Sequence, residues 1–388
     1  MTATATRLTG IGEYYFSQKL REISTLNSEG KDIINLGIGS PDQPPHPDVI
    51  ATLHRESSKP GSHAYQGYRG VPALRNAFAA WYQKWYEVTL NPEKEILPLI
   101  GSKEGLMHVC MTYLNPGDQA LIPNPGYPTY SSAVRLAGGE PLPYLLTRKN
   151  NWLPDFSMLD ELVTGNPRIK ILFVNYPHMP TGQLPSRDLF EKLVAFGRRH
   201  RILICHDNPY SFILNKSPMS MLSIDGAKGT VLELNSLSKS HNMAGWRVGV
   251  LCGEGSQIDE VLRFKSNMDS GMFLPLQLAA ARALDLGEDW FAQINEVYAK
   301  RRKFVIDLLR QIDCLPTEGQ AGMFIWAAIP SDYANAYALS DKILYEAGVF
   351  LTPGGIFGTA GEQYLRVSLC SPEEKIQEAI TRIKTALS

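Results

Sequence analysis

The sequence predicts an α/β fold, with a large domain built on a mostly parallel central sheet and a smaller α+β domain. Three observations predict it. From about residue 46 to residue 250, short apolar runs alternate with longer helix-patterned stretches, the signature of a sheet covered by helices on both faces. Residues 256 to 311 read as nearly continuous helix, and after them strand and helix patterns start afresh. With 388 residues the chain has room for two or three domains, at about 150 residues each.

Residues 11 to 30 form an amphipathic pattern, with Tyr15, Leu20, Ile23 and Leu26 at helical spacing. Ile33 to Leu36 then leads into a loop rich in Gly and Pro, from Gly37 to Pro47. In the large domain, strands are expected at 119–122, 170–175, 201–206, 229–234 and 248–252, and helices at 72–86, 104–113, 130–137 and 187–199. The later helical stretch contains segments at 278–286 and 289–310. The last part is expected to hold strands at 322–329 and 364–369 and helices at 336–347 and 372–387. This assigns residues 46–285 to the large domain, and residues 1–45 with 286–388 to the small one. Functional groups in such a sheet belong just past the carboxyl ends of its strands.

Charge and composition exclude several classes. Lys and Arg number 38 against 39 Asp and Glu, so no basic field recruits nucleic acid or an anionic membrane. No apolar run reaches the length of about 18 residues that a transmembrane helix needs, and Met1 to Gly10 lacks the apolar core of a signal peptide. Cys110, Cys205, Cys252, Cys314 and Cys370 are odd in number and contain no C-x-x-C pair; buried free thiols in a reducing compartment are expected. The eight histidines show no metal-ligand spacing. A soluble cytoplasmic protein without a metal is therefore expected.

The most informative segment is Asn235 to Arg247, which follows a strand pattern and contains Ser236, Ser238, Lys239 and Arg247. A lysine in a polar loop is ordinarily a solvated surface residue. Here its neighbours are the group types that bind a phosphate, Arg with a bidentate fork. An amine beside a phosphate cradle suits a Schiff base with an aldehyde cofactor. Ser-x-Ser-Lys followed eight residues later by Arg resembles the cofactor-lysine motif of fold-type I pyridoxal-phosphate (PLP) aminotransferases of class I/II, and the resemblance extends over nearly the whole chain. It implies that Lys239 holds the cofactor and moves protons, while Arg247, Ser236 and Ser238 bind its phosphate.

Further segments fit the same resemblance. An apolar run ends in Asp207, with Tyr210 three residues on; alone, such an Asp is an ordinary loop residue or helix cap. The resemblance implies that Asp207 pairs with the ring nitrogen, keeping the ring an electron sink, and that Tyr210 bonds the phenolic oxygen. His206 adjoins Asp207 and is a candidate for orienting it. Gly101-Ser102-Lys103-Glu104 opens a helix, where backbone N–H groups form an anion site; the resemblance assigns Ser102 and Lys103 (mainly its backbone) to the phosphate. Tyr127, in a Pro/Gly turn, would stack on the ring. Tyr65 would reach the phosphate of a neighbouring subunit, which implies a homodimer with shared active sites. Arg366, flanked by apolar residues, would take the substrate α-carboxylate bidentately, with the Gly39 backbone beside it and Tyr14 or Tyr15 at the side-chain pocket.

The chain departs from the resemblance at one place. Asn175-Tyr-Pro-His-Met179-Pro-Thr-Gly carries Met179 where relatives have an asparagine that donates to the phenolic oxygen, and a thioether cannot donate. Asn175 is a candidate substitute, and the Schiff base is expected to hold its proton to higher pH than in asparagine-bearing relatives. The implied activity is transfer of an amino group between an amino acid and a 2-oxo acid, with glutamate and 2-oxoglutarate as one pair. Gly-Ile-Gly-Ser-Pro-Asp, Gly-Ser-Lys-Glu-Gly and His-Asp-Asn-Pro-Tyr resemble aspartate or LL-diaminopimelate aminotransferases. Three alternatives remain at this point: a C–S lyase or other PLP enzyme on the same fold, a PLP-sensing regulator, and a scaffold that has lost catalysis. Against the regulator, only about 35 residues precede the first family-like segment, too few for a DNA-binding domain.

Overall fold

The computed structural model describes residues 2–387, and its centre is a seven-stranded sheet. The strand order is Ile96–Leu99, Gly249–Cys252, Val231–Ser236, Leu203–Asp207, Ile169–Val174, Gln119–Asn124 and Glu140–Leu145. Only Gly249–Cys252 runs antiparallel to its neighbours. The α/β expectation holds. A parallel sheet is covered on both faces, so its strands are continuous apolar runs; Ile171 to Val174 and Val231, Leu232 and Leu234 have no exposed surface.

The helices that cover the sheet are bounded by local chemistry. Arg187–His200 starts where the Ser186 hydroxyl accepts from the Leu189 N–H and ends where Arg201 turns left-handed. It buries Leu189, Phe190, Leu193, Val194 and Phe196, one apolar stripe. The expected helix at 72–86 is present as Pro72–Tyr86, and that at 336–347 as Ala336–Ala347, capped by Asn335 and stopped at Gly348.

Several elements escaped the sequence pattern. Glu140–Leu145, which holds Pro141 and Pro143, was assigned no strand, and it is an edge strand, where missing N–H groups are tolerated. Helices Pro47–Ser57 and Phe156–Val163 are short and start at Pro47 and the Asp155 cap. The continuous helix expected over 256–311 is three helices, Gly255–Lys265, Leu274–Leu284 and Glu288–Gln311. Pro275 sits in the first turn of the second, where its missing N–H costs nothing.

A second, antiparallel sheet has the order Thr352–Pro353, Tyr364–Ser368, Phe324–Ala328, Leu315–Pro316. Ile34–Asn35 pairs in parallel with Val349–Phe350, so the N-terminal segment joins the C-terminal one. Ser368 N–H also donates to Leu36 O. This stitching brings the loop after Leu36 to the carboxyl ends of the large sheet. No helix among the described residues is long and apolar enough to cross a membrane.

Candidate active site

Strand Val231–Ser236 ends in a serine whose hydroxyl accepts from the Ser238 N–H at 3.2 Å. That cap starts the one-turn helix Leu237–Ser240, which presents Lys239. The Lys239 Nζ donates to Gly39 O at 2.5 Å, joining segments 200 residues apart. Burial pushes the Lys239 amine down to about 8, aided by the charges of Arg366 and Arg247 and opposed by Cys370. An ordinary lysine sits near about 10.4, so Lys239 reaches its nucleophilic free-base form about two pH units earlier. We expect the rate of PLP capture by the apoprotein, trapped by borohydride, to rise with pH to a midpoint near 8. A midpoint above 10 would show that Lys239 lies in a solvated environment.

Arg247 carries a left-handed backbone, φ 57°. Its Nη1 donates to Ala244 O at 2.9 Å and Ser238 Oγ at 3.3 Å. The guanidinium packs closely on Gly101, Nη2 foremost: a Cβ there would stand 2.2 Å from Nη2, and Gly101 also has φ 81°. Only glycine fits both demands. Gly101 precedes helix Ser102–Tyr113. Ser236, Ser238, Ser102 and Arg247 thus converge on the positive end of a helix, an anion cradle.

Asp207 ends strand Leu203–Asp207 and is 5% exposed. Its Oδ2 accepts from the Tyr130 hydroxyl at 3.0 Å, and its Oδ1 has no partner among the described residues. Burial raises the carboxyl to about 6, against the Tyr130 hydrogen bond and the His206 charge, which lower it. An unpartnered buried carboxylate oxygen is costly, and Asp207 lines a cavity. Asn175 holds the strand end in place, its Nδ2 donating to Asp207 O at 2.6 Å and its Oδ1 accepting from the Met179 N–H at 2.8 Å.

Arg366 lies mid-strand in Tyr364–Ser368, between Trp326 and Thr352. It is 4% exposed and has no acidic partner among the described residues. Its Nη2 donates to Gly37 O at 2.8 Å, its Nη1 approaches Met179 Sδ at 3.3 Å, and its Nε has no partner. The rings of Phe324, Phe357 and Phe16 flank the guanidinium at 3.9, 4.7 and 5.4 Å. Burial lowers its pKa to about 10, opposed by Tyr210, Tyr14, Cys370 and Tyr127. A buried cation with only one carbonyl to serve is suited to receive a carboxylate.

Of the sequence-stated site residues, Tyr14, Gly39, Ser102, Lys103, Tyr127, Asn175, Asp207, Tyr210, Ser236, Ser238, Lys239, Arg247 and Arg366 all line one cavity of about 350 Å³. That lies within the range of small-molecule sites, about 300 to 1,000 Å³. Gly39 meets Lys239 through its carbonyl, and a Cβ there would stand 2.1 Å from the Phe324 ring. The Lys103 side chain extends over the Tyr14 ring, 5.2 Å from its centre. Tyr15 does not line the cavity; its ring packs on Phe16 and Tyr337. Tyr65 is 90% exposed and does not line the cavity either.

The sequence reading missed Tyr130 and the three phenylalanines around Arg366. Tyr130 looked like one more apolar position on a helix, and the phenylalanines come from three separated segments. Elsewhere, Glu104, His108 and Asp269 bring ligand atoms within 4.8 Å of one another, but the buried Lys265 ammonium already pairs with Asp269.

The cavity fits PLP on two features of the chain itself. The Gly101–Arg247 cradle suits a phosphate, and the orphaned Asp207 Oδ1 requires a donor such as a protonated ring nitrogen. The comparisons agree. An LL-diaminopimelate aminotransferase of Dehalococcoides mccartyi is 40% identical over 379 residues, 97% of each chain. One from Halothermothrix orenii is 39% identical over 384 residues, 98% of each chain. The substrate-bound BacF structure from Bacillus subtilis superposes with a TM-score of 0.95 at 35% identity, covering 99% of this chain and 98% of its own. Transamination is thereby favoured over the lyase alternative. Residues 31–383 match aminotransferase class I and II, and the chain belongs to that family, as a PLP-dependent aminotransferase.

Proposed function

We propose that this aminotransferase works on amino acids with a distal acidic group, of the LL-diaminopimelate, glutamate or aspartate type, with 2-oxoglutarate as amino acceptor. The observation that carries the reading is Lys103. Once Arg247 serves the phosphate, Arg366 the α-carboxylate and Lys239 the cofactor, Lys103 is the cation of the cavity left without a task. It has no carboxylate partner among the described residues and lies over Tyr14 at 5.2 Å. The rings of Phe16, Phe324 and Phe357 are engaged on Arg366, so they do not define a separate aromatic side-chain pocket. The names of the two relatives at 39–40% identity point the same way.

In this reading each residue has one job. PLP, when bound, supplies an aldehyde that takes the amino group and a ring that delocalises the electron pair left at the α-carbon. Lys239 Nζ anchors the cofactor; once displaced by the substrate amine it is a free base that takes the α-proton and delivers it to the far side of the transferred nitrogen. Its depressed pKa lets it do both near neutrality. Asp207 Oδ1, which has no partner among the described residues, would hold the proton of the ring nitrogen. Tyr210 would donate to the phenolic oxygen, with the second N–H of the Asn175 amide assisting where Met179 cannot. Tyr127 would stack on the ring. Ser102, Ser236, Ser238 and Arg247, with the Lys103 backbone, hold the phosphate. Arg366 fixes the α-carboxylate and so orients the α-hydrogen, and Tyr14 borders the distal end. Residues 46–285 carry the cofactor, while residues 1–45 and 286–388 carry Arg366 and Tyr14.

The unit is a cytoplasmic homodimer. Tyr65, Tyr68, Met268 and Phe273 are large apolar side chains left exposed, which suits a surface covered by a second copy, and Tyr65 would reach the partner's phosphate. All five cysteines are free and buried, which suits a reducing compartment.

A donor panel with 2-oxoglutarate tests the substrate. LL-diaminopimelate or glutamate should give the highest kcat/KM, and Lys103→Met should raise KM for them by about tenfold, one lost charge-assisted contact of about 1.5 kcal/mol or more. An apolar or aromatic donor that outperforms them, with Lys103→Met indifferent, overturns the reading.

A further inference from the structure

Asp207 has a neighbour that the reaction scheme above leaves unused. On a strand, successive side chains point to opposite faces, so His206 points away from the cavity into the fully enclosed interior. Its Nδ1 lies 2.8 Å from Glu233 Oε2, and its Nε2 lies 3.0 Å from Tyr176 O. Glu233 is directly opposite on the adjacent strand and is also fully buried. It accepts from the Tyr82 hydroxyl at 3.0 Å, from the Ser220 hydroxyl at 2.8 Å and from the Met221 N–H at 2.9 Å.

The hydrogen-bond inventory fixes the protons. Three donors besides the imidazole converge on Glu233, the environment of an ionised carboxylate. The imidazole faces two acceptors, a carboxylate and a carbonyl. Each needs an N–H, so both ring nitrogens carry a proton and the ring is a cation. An enclosed ion pair costs several kcal/mol in desolvation per ion and is often no more stabilising than apolar residues of the same shape. Its place beside Asp207 supplies a reason for it.

We propose that the His206–Glu233 pair is a positioning device that holds Asp207 as a fixed carboxylate, so that the proton shared with the cofactor ring resides on the ring nitrogen. The inference rests on the reading of Asp207 as the ring-nitrogen partner. Two links reach the site. The imidazolium is one residue from a carboxyl that burial would otherwise protonate, and its charge opposes that. Its Nε2 also ties down Tyr176 O, in the turn whose Asn175 grips Asp207 O and whose Met179 lines the cavity. On the cavity side of Asp207 stand the cations Lys239, Arg247 and Arg366, which the reading above gives to cofactor and substrate. The other ionisable groups near the pair and near Asp207 are phenols and thiols: Tyr82 and Tyr86 from helix Pro72–Tyr86, Cys252 and Cys205 from the sheet, Tyr130 from helix Thr129–Leu136, and Tyr210 and Tyr127. These phenols and thiols are neutral near pH 7 when buried, so on the enclosed side of the sheet His206 supplies the positive charge next to Asp207.

The test uses the full-length protein with and without PLP. Nitrogen NMR of the wild type should show both ring nitrogens of His206 as N–H donors; a ring with one unprotonated nitrogen overturns the inference without any variant. In the apoprotein, the Asp207 carboxyl should titrate about one unit higher in His206→Gln, and likewise in the isosteric Glu233→Gln, a tenfold gain in proton affinity. Binding of PLP is then compared with its carbocyclic analogue lacking the ring nitrogen. Asp207→Ala should abolish the preference for PLP, and His206→Gln should reduce it about tenfold. If Asp207→Ala keeps the preference, the Asp207 reading itself fails. If Asp207→Ala loses it while both His206→Gln and Glu233→Gln keep wild-type preference and carboxyl midpoint, the pairing role fails alone.

Discussion

Lys239→Ala is expected to abolish steady-state transamination and the visible absorbance of the holoenzyme. Lys239 Nζ is brought to the cavity by a capped one-turn helix and held by Gly39 O, and no other lysine amine lines the cavity except Lys103, at its rim. Loss of a positioned general acid–base alone costs about 10²- to 10⁴-fold; loss of the covalent anchor adds to this. A combined fall of at least about 10⁴-fold in kcat is expected, read in a coupled assay with the donor that the wild type prefers. Exogenous methylamine should restore part of the proton transfer, since the cavity left behind is the size of the missing side chain. Turnover within tenfold of wild type would remove Lys239 from the mechanism.

Arg366→Gln should show the second-largest effect, on kcat/KM rather than on cofactor content. The guanidinium is buried, unpaired with acid, and caged by three phenyl rings. Removing one partner of a desolvated charge pair costs about 2 to 5 kcal/mol, or about 30- to 4,000-fold in kcat/KM. The phosphate cradle lies on other segments, so PLP content and the absorbance of the resting enzyme should be unchanged. Stability should rise or hold, because Arg366 carries an uncompensated burial cost in the absence of substrate. Amines that lack an α-carboxylate should lose little, which separates a carboxylate receptor from a general structural role. Equal losses for amino acids and simple amines would refute the assignment.

These two residues differ in how readable they were. Lys239 stood out as a candidate because residue types that bind phosphate, Ser236, Ser238 and Arg247, lie within one short segment, and local chemistry leaves a local pattern. Asp207, at the end of an apolar run, read alone as an ordinary loop residue or cap, and took its candidate role from the resemblance. Arg366 could be assigned only through the resemblance, since nothing within five residues marks it as a receptor. Its cage of Phe16, Phe324 and Phe357, and its contact with Met179 187 residues away, exist only in three dimensions.

The fold class was determined by the sequence itself, because apolar periodicity records which faces are buried. So was the clustering of phosphate-binding residue types around Lys239. Tertiary structure decided the rest. It placed the proline-bearing strand Glu140–Leu145 at the sheet edge, where pattern alone marked no strand. It set His206 opposite Glu233 through strand register, a choice that a one-residue slip would reverse. It also made Met179, which cannot donate, a neighbour of the buried Arg366 guanidinium. The physical reason is common to all three: short-range pattern encodes burial, whereas partners across strands and between segments are chosen by the packing of the whole chain.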